Sequence, residues 1–194
     1  MGQKASKLSK EDISNLKKET KFTTRELQQW YKGFQRDAPT GILTKDDFIK
    51  IHKQFYPFGD PTDYATFAFE AFDIRHHGFV TFPDFIISLS IASRGTTAEK
   101  LKWGFRLYDR NNDGFISYDD LLRVVSAIYM MIGTQSVKFK DGEDAPEDRV
   151  NRIWATFNKS LDNKEHELIS RKEFSDNKWA PDVIKALSVY DDLI

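Results

Sequence analysis

The sequence predicts an all-α protein made of four helix–loop–helix repeats that pair into two lobes, with short two-strand contacts between loops. Three observations predict it. Acids stand at Asp47, Asp84, Asp120 and Glu173, each followed by Phe or Leu: Phe48, Phe85, Leu121 and Phe174. An aliphatic residue stands four places before each acid, at Leu43, Val80, Ile116 and Ile169. Apolar residues at helical spacing flank every such stretch. Self-similarity of this kind marks a repeat architecture, and it is read before any single motif.

Each element follows from its residues. "TTRELQQWYKGF" opens with a capping box, Thr23 to Glu26, and sets Leu27, Trp30, Tyr31 and Phe34 on one face. "DFIKIHKQF" does the same with Phe48, Ile51 and Phe55. "PTDYATFAFEAF" begins with Pro61, suited to a first helical turn. "FPDFIISLSIA" aligns Phe82, Phe85, Ile86 and Leu89, and "TTAEKLKWGFRLY" aligns Leu101, Phe105 and Tyr108. "YDDLLRVVSAIYMMI", "PEDRVNRIWATF" and "RKEFSDN" complete the second pair, and "APDVIKALSVYDDLI" predicts a short terminal helix. Gly95 interrupts the helical pattern and divides the chain into residues 1–95 and 96–194. The polar stretch 133–148 reads as a loop between the third and fourth repeats.

Composition narrows the function. The chain has 194 residues, a net charge of −1 and no cysteine, so disulfides, zinc–thiolate sites and cysteine nucleophiles are excluded. No basic block suggests nucleic acid, and no apolar run is long enough to span a membrane. There is no H-E-x-x-H and no phosphate loop, and an enzyme is not expected. The 16 Phe and 4 Trp exceed what two small cores need, so part of them is expected to line a binding surface. The start, "MGQKASKLSK", fits the acceptor pattern for N-myristoylation at Gly2 and carries Lys4, Lys7 and Lys10 with no acid. One acyl chain binds membranes marginally, and a basic patch facing anionic lipid is the usual second signal.

The four loops differ in their chemistry. Helix–loop–helix with these fixed positions is the EF-hand plan, in which a hard cation takes oxygens from loop positions 1, 3, 5, 7, 9 and 12. "DRNNDGFISYDD" supplies Asp109, Asn111, Asp113, the Phe115 carbonyl, Ser117 and Asp120, with Gly114 for the turn. Asp at position 12 is one methylene shorter than Glu, and this tilts the site from Ca²⁺ toward Mg²⁺. "DIRHHGFVTFPD" has Arg75 and His77 at positions 3 and 5; Arg has no acceptor. His76 and His77 read as solvated loop residues, and Arg75 as an ion-pair partner for Asp73 or Asp84 in the cation's space. "RDAPTGILTKDD" begins with Arg36 and has Ala38 at position 3, so it is expected to be empty. In the fourth loop, counting back from Glu173 puts Lys164, His166 and Glu167 at positions 3, 5 and 6. Counting forward from the preceding helix puts Asn158 first and leaves the loop too long. Both frames break the coordination.

One site among four frames argues against a calcium buffer. What remains is the groove that paired EF-hands form between helices. Trp30, Phe34, Phe48, Ile51, Phe55, Phe85 and Leu89 are expected to line it, with Trp103, Tyr108, Val125, Tyr129 and Met130 extending it into the second lobe. Such grooves take amphipathic helices. The terminal helix, with Val183, Leu187, Val189 and Leu193, is an internal candidate for the same place.

Together these residues resemble the neuronal calcium sensor family, most closely its frequenin branch. The likeness rests on "MGQKASKLSK", "QQWYKGFQRDAPTG", "KQFYPFGDP", "SRGTTAEKLKWGFRLYDRNNDGFISYDD", "APEDRVNRI" and "ALSVYDDLI", nearly end to end. It implies a myristoylated cytoplasmic regulator at Golgi, plasma-membrane or synaptic surfaces, with a groove for helical targets. Phosphatidylinositol 4-kinase and a guanine-exchange chaperone of G-protein α subunits are the targets the resemblance implies. The chain departs from the frequenin pattern at Ala38, where the family has Cys, and at Arg75, His77, Lys164, His166 and Glu167. Channel-interacting members of the family also have a degenerate second loop, so a calcium-independent adaptor or channel regulator with a structural Mg²⁺ is the alternative.

Overall fold

The computed structural model describes residues 7–133 and 145–176. Gly2, Lys4, most of the polar stretch 133–148 and the helix expected over residues 180–194 lie outside them. The elements run α1 (Lys10–Glu19), α2 (Thr24–Asp37), β1 (Ile42–Leu43), α3 (Lys45–Phe55), α4 (Thr62–Phe72), β2 (Val80–Thr81) and α5 (Phe82–Arg94). The second half runs α6 (Thr97–Tyr108), β3 (Phe115–Ile116), α7 (Tyr118–Ile132), α8 (Pro146–Thr156), β4 (Ile169–Ser170) and α9 (Arg171–Asp176).

The aliphatic eighth residue of each loop sets the pairing. β1 lies antiparallel to β2, with Leu43 opposite Val80, and β3 to β4, with Ile116 opposite Ile169. All four side chains are buried. Each two-residue ribbon is too short to be stable alone, so the helices packed on either side hold it.

Every helix that leaves a loop begins with the same device. The ninth loop residue is the N-cap, and the twelfth loop acid is the N3 residue that reaches back to it. The pairs are Thr44 with Asp47, Thr81 with Asp84 and Ser117 with Asp120. Ser170 and Glu173 make the same reciprocal bonds at the start of α9. Each box satisfies N–H groups that the first turn leaves open, and contributes about 1 kcal/mol. The twelfth acid therefore has a structural duty in all four repeats, with or without an ion.

The two pairs share one continuous core. Helix α4 packs on α6 and α7, and Trp103 sits edge-on to Phe72 at 5.7 Å. The loop between α3 and α4 closes on the end of α7, where the Asp60 N–H donates to the Met130 carbonyl at 2.9 Å. Gly59 is required there, because a Cβ would overlap the Met130 and Met131 carbonyls. No described helix is long and apolar enough to cross a membrane.

Candidate functional site

The third loop is organised around Asp109, which is 5% exposed. Its Oδ1 accepts from the Asp113 N–H and its Oδ2 from the Gly114 N–H, both at 3.1 Å. Gly114 has φ +86°, a conformation that glycine adopts without steric cost. Asn111 accepts from the Asp113 N–H at 3.2 Å and donates to Asp113 Oδ2 at 2.8 Å. Asp113 Oδ1 accepts from the Phe115 N–H at 2.8 Å. Burial pushes the Asp109 carboxyl above the usual aspartate range; the Gly114 N–H opposes this and the charge of Asp113 adds to it. The donor set is uniformly hard: three carboxylates, an amide oxygen, a hydroxyl and the Phe115 carbonyl. That chemistry fits Ca²⁺ or Mg²⁺. No three His, Asp or Glu side chains among the described residues gather into a ready-made metal cluster. The oxygens of Asp113 and one oxygen of Asp120 are engaged with hydrogen-bond donors instead.

The second loop has the same scaffold. Asp73 accepts from the His77 N–H at 3.0 Å and the Gly78 N–H at 2.7 Å. His76 stands at φ +53°, as Asn112 does at φ +56° in the third loop. The difference lies at the twelfth acid. Asp84 gives Oδ2 to its capping box, and its Oδ1 faces the Arg75 Nε at 3.7 Å. Of the two partners considered for Arg75, Asp84 is the one it takes.

The other loops repeat this division of labour. Glu173 gives Oε2 to Ser170, and its Oε1 accepts from the Lys159 ammonium at 2.9 Å. These bonds hold its carboxyl down at about 2, with Ser170 the larger cause and Lys159 next. Asp47 gives Oδ2 to Thr44, and its Oδ1 faces Lys50 at 3.7 Å, an exposed and weak pair. In the third loop Asp120 gives Oδ2 to Ser117 at 2.6 Å. Among the described residues, no basic side chain pairs with Asp120 Oδ1. Three of the four loops thus carry a protein cation on the spare oxygen of the twelfth acid.

Neither counting frame singles out Lys159: it precedes the frame counted back from Glu173 and stands at position 2, not a ligand position, in the frame counted forward from Asn158. Helix α8 ends at Thr156, and Asn158 turns at φ +56° to present the next residue, Lys159. Lys164, at position 3 of the counted-back frame, lies over the Tyr118 ring at 4.4 Å. Glu167, in place of the turn glycine, accepts from the Ser160 N–H at 2.9 Å.

The expected groove residues separate into two sets. Trp30, Phe34, Phe48, Ile51, Phe55, Phe85 and Leu89 all line one apolar cavity of about 140 Å³ between α2, α3 and α5. Its walls include Phe72 and the buried His52, and the Arg36–Asp37 ion pair stands at the rim. Burial brings the His52 imidazole down to about 4. Phe55 is 53% exposed at the mouth. The expected extension into the second pair does not form part of this cavity. Trp103, Tyr108, Val125 and Tyr129 are core residues with 6% exposure or less, and none lines the cavity. Tyr108 and Phe105 pack on Phe174 within the second pair, and Trp103 packs on Phe72 across the two halves. Only Met130 of that group is exposed.

The EF-hand domain pair family matches residues 98–176, the third and fourth repeats. Neuronal calcium sensor 1 of Lymnaea stagnalis is 48% identical over 191 residues, 98% of each chain. Neuronal calcium sensor 1 of Aplysia californica is 48% identical over 192 residues, again 98% of each chain. The chain belongs to the neuronal calcium sensor family. Within this neuronal calcium sensor fold, the second loop keeps the backbone frame and places Arg75 on its capping acid, while the fourth keeps only the capping acid and places Lys159 on it.

Proposed function

We propose that this protein is a calcium-sensor-like, non-catalytic regulator that holds one divalent cation in its third loop. Asp109, Asn111, Asp113, the Phe115 carbonyl, Ser117 and Asp120 would hold the ion. The carrying observation is the spare oxygen of Asp120, the one twelfth acid to which the described residues bring no protein cation. Two relatives that bear the name of a calcium sensor support the same reading.

The cavity supports a second part of the proposal. It is the docking place for an amphipathic helix of a membrane-associated target, of the phosphatidylinositol 4-kinase or G-protein exchange-factor type. An apolar cavity near 150 Å³ is large enough for one aromatic ring. It therefore accepts one aromatic anchor of such a helix, and the exposed Phe55 borders the rest. A myristoyl group on Gly2 and the basic start would add peripheral attachment to anionic Golgi or plasma membrane.

A second reading is favoured by Asp120 itself. Its short arm has one oxygen committed to Ser117, which leaves a single oxygen for an ion and suits Mg²⁺. The protein is then a calcium-independent adaptor or channel regulator with a structural Mg²⁺. Calorimetric calcium titration in about 1 mM Mg²⁺, a background chosen to make the two ions compete, separates the two. The sensor reading requires calcium heat that persists there. It also requires calcium-dependent binding of a helical peptide with one Trp anchor, which Trp30→Ala with Phe34→Ala removes. Absence of calcium heat selects the adaptor.

A further inference from the structure

Glu70 of α4 joins the third loop to the wall of the cavity. Its Oε2 accepts from Arg110 Nη1 at 2.9 Å, and its Oε1 faces the Lys45 ammonium at 3.6 Å. Arg110 lies between Asp109 and Asn111, two of the residues assigned to the ion, and cannot move independently of them. Its guanidinium carbon lies over the Phe67 ring, 3.8 Å from the centroid, and its side chain is only 21% exposed. This is more than a screened surface pair: cation–π contact and partial burial fix the arginine in place. Lys45 opens α3, the helix that carries Phe48, Ile51 and Phe55 to the cavity. The Lys45 arm is the weaker one, because that side chain is 46% exposed.

We infer that Glu70 is a positioning residue that couples the third loop to the cavity, so that an ion bound between Asp109 and Asp120 changes how open the N-terminal cavity is. The inference rests on the one-cation reading above. It supplies what the second loop cannot. Arg75 occupies the acid of that loop, so the N-terminal pair has no ion of its own to respond to. The signal must then cross from the other pair. Bulk packing of α4 on α6 and α7 is a competing route, and neutralising the charges leaves it intact.

The test uses the full chain and the apolar dye anilinonaphthalene sulfonate, in about 1 mM Mg²⁺ with and without saturating calcium. Glu70→Gln preserves shape, Arg110→Met removes the charge while keeping an unbranched stem beside Phe67, and the two are combined in a double-mutant cycle. Wild type is expected to show a calcium-dependent change in dye affinity of about five-fold or more, the lower end of ordinary coupling. Each variant should keep its calcium heat, its helical circular dichroism and less than about two-fold of the dye response, with the double variant no worse than either. Ile51→Trp, which fills the cavity, should abolish the calcium-dependent part. Equal responses in wild type and in whichever variant stays folded would overturn the inference, as would a response that survives Ile51→Trp or wild-type calcium heat with no dye change. No calcium heat in wild type is a different failure: it removes the calcium-sensor reading and this inference with it.

Discussion

The second and third loops have almost the same backbone and differ in what stands on the last acid. In each, the first Asp accepts from the N–H groups of positions 5 and 6, position 4 takes a positive φ, and the twelfth Asp caps the exit helix. Arg75 then meets Asp84, while Asp120 keeps an oxygen to which the described residues bring no cation. The comparison teaches that loop form and ion binding are separable. Hydrogen bonds to the first acid and a capping box hold the loop. Oxygens at positions 3 and 5, and a free oxygen at 12, make it a site. An acid at position 12 is thus poor evidence for a metal on its own.

The largest expected effect breaks the third loop. Asp113→Ala should reduce calcium affinity beyond the roughly 100-fold that changes around a metal site typically reach, as read by calorimetry. Helical circular dichroism should persist, because the capping boxes do not involve Asp113. The converse change should repair the second loop. Arg75→Asp with His77→Asp frees Asp84 and restores oxygens at positions 3 and 5 on an intact scaffold, so a second calcium should appear in native mass spectra.

The next effect is confined to the N-terminal pair. His52 titrates near 4 in the fold against 6.5 in a free chain, because it is buried beside the cavity. Between those values the unfolded chain binds a proton that the folded chain does not. Stability should therefore be full above pH 6.5 and fall as pH drops toward 4, by about 3 kcal/mol at most. His52→Phe should flatten the denaturant midpoint over that window. The smallest change sharpens the ion's identity. Asp120→Glu extends the arm by one methylene and should raise calcium affinity about tenfold relative to magnesium, by competition calorimetry.

Much of this was legible in the sequence. Repeat spacing located the four loops and their paired strands, since the aliphatic eighth residues can be buried only by pairing. Arg75 announced itself because a permanent cation at a ligand position has few alternatives. Other features were hidden for physical reasons. Ser or Thr at position 9 with an acid at 12 satisfies a capping box and a metal loop equally, so the pattern alone does not mark Thr44–Asp47 and Thr81–Asp84 as helix caps. Lys159 escaped because the fourth loop departs from the twelve-residue frame. Trp103, Tyr108 and Val125 have the spacing of an apolar helix face, and spacing does not tell which of them line the cavity and which, like Trp103 against Phe72, are buried away from it. The Glu70–Arg110 pair joins residues forty apart in the chain, and no local pattern signals it.

The central claim is that the third loop would hold the one ion because it alone joins oxygens at positions 3 and 5 to a twelfth acid with an oxygen to which the described residues bring no cation. Native mass spectrometry of the full-length protein in excess calcium, with Asp113→Ala beside it, tests this most directly. The account predicts one calcium per wild-type molecule and none in the variant. Two or more calcium ions in wild type, or one that survives Asp113→Ala, would contradict it.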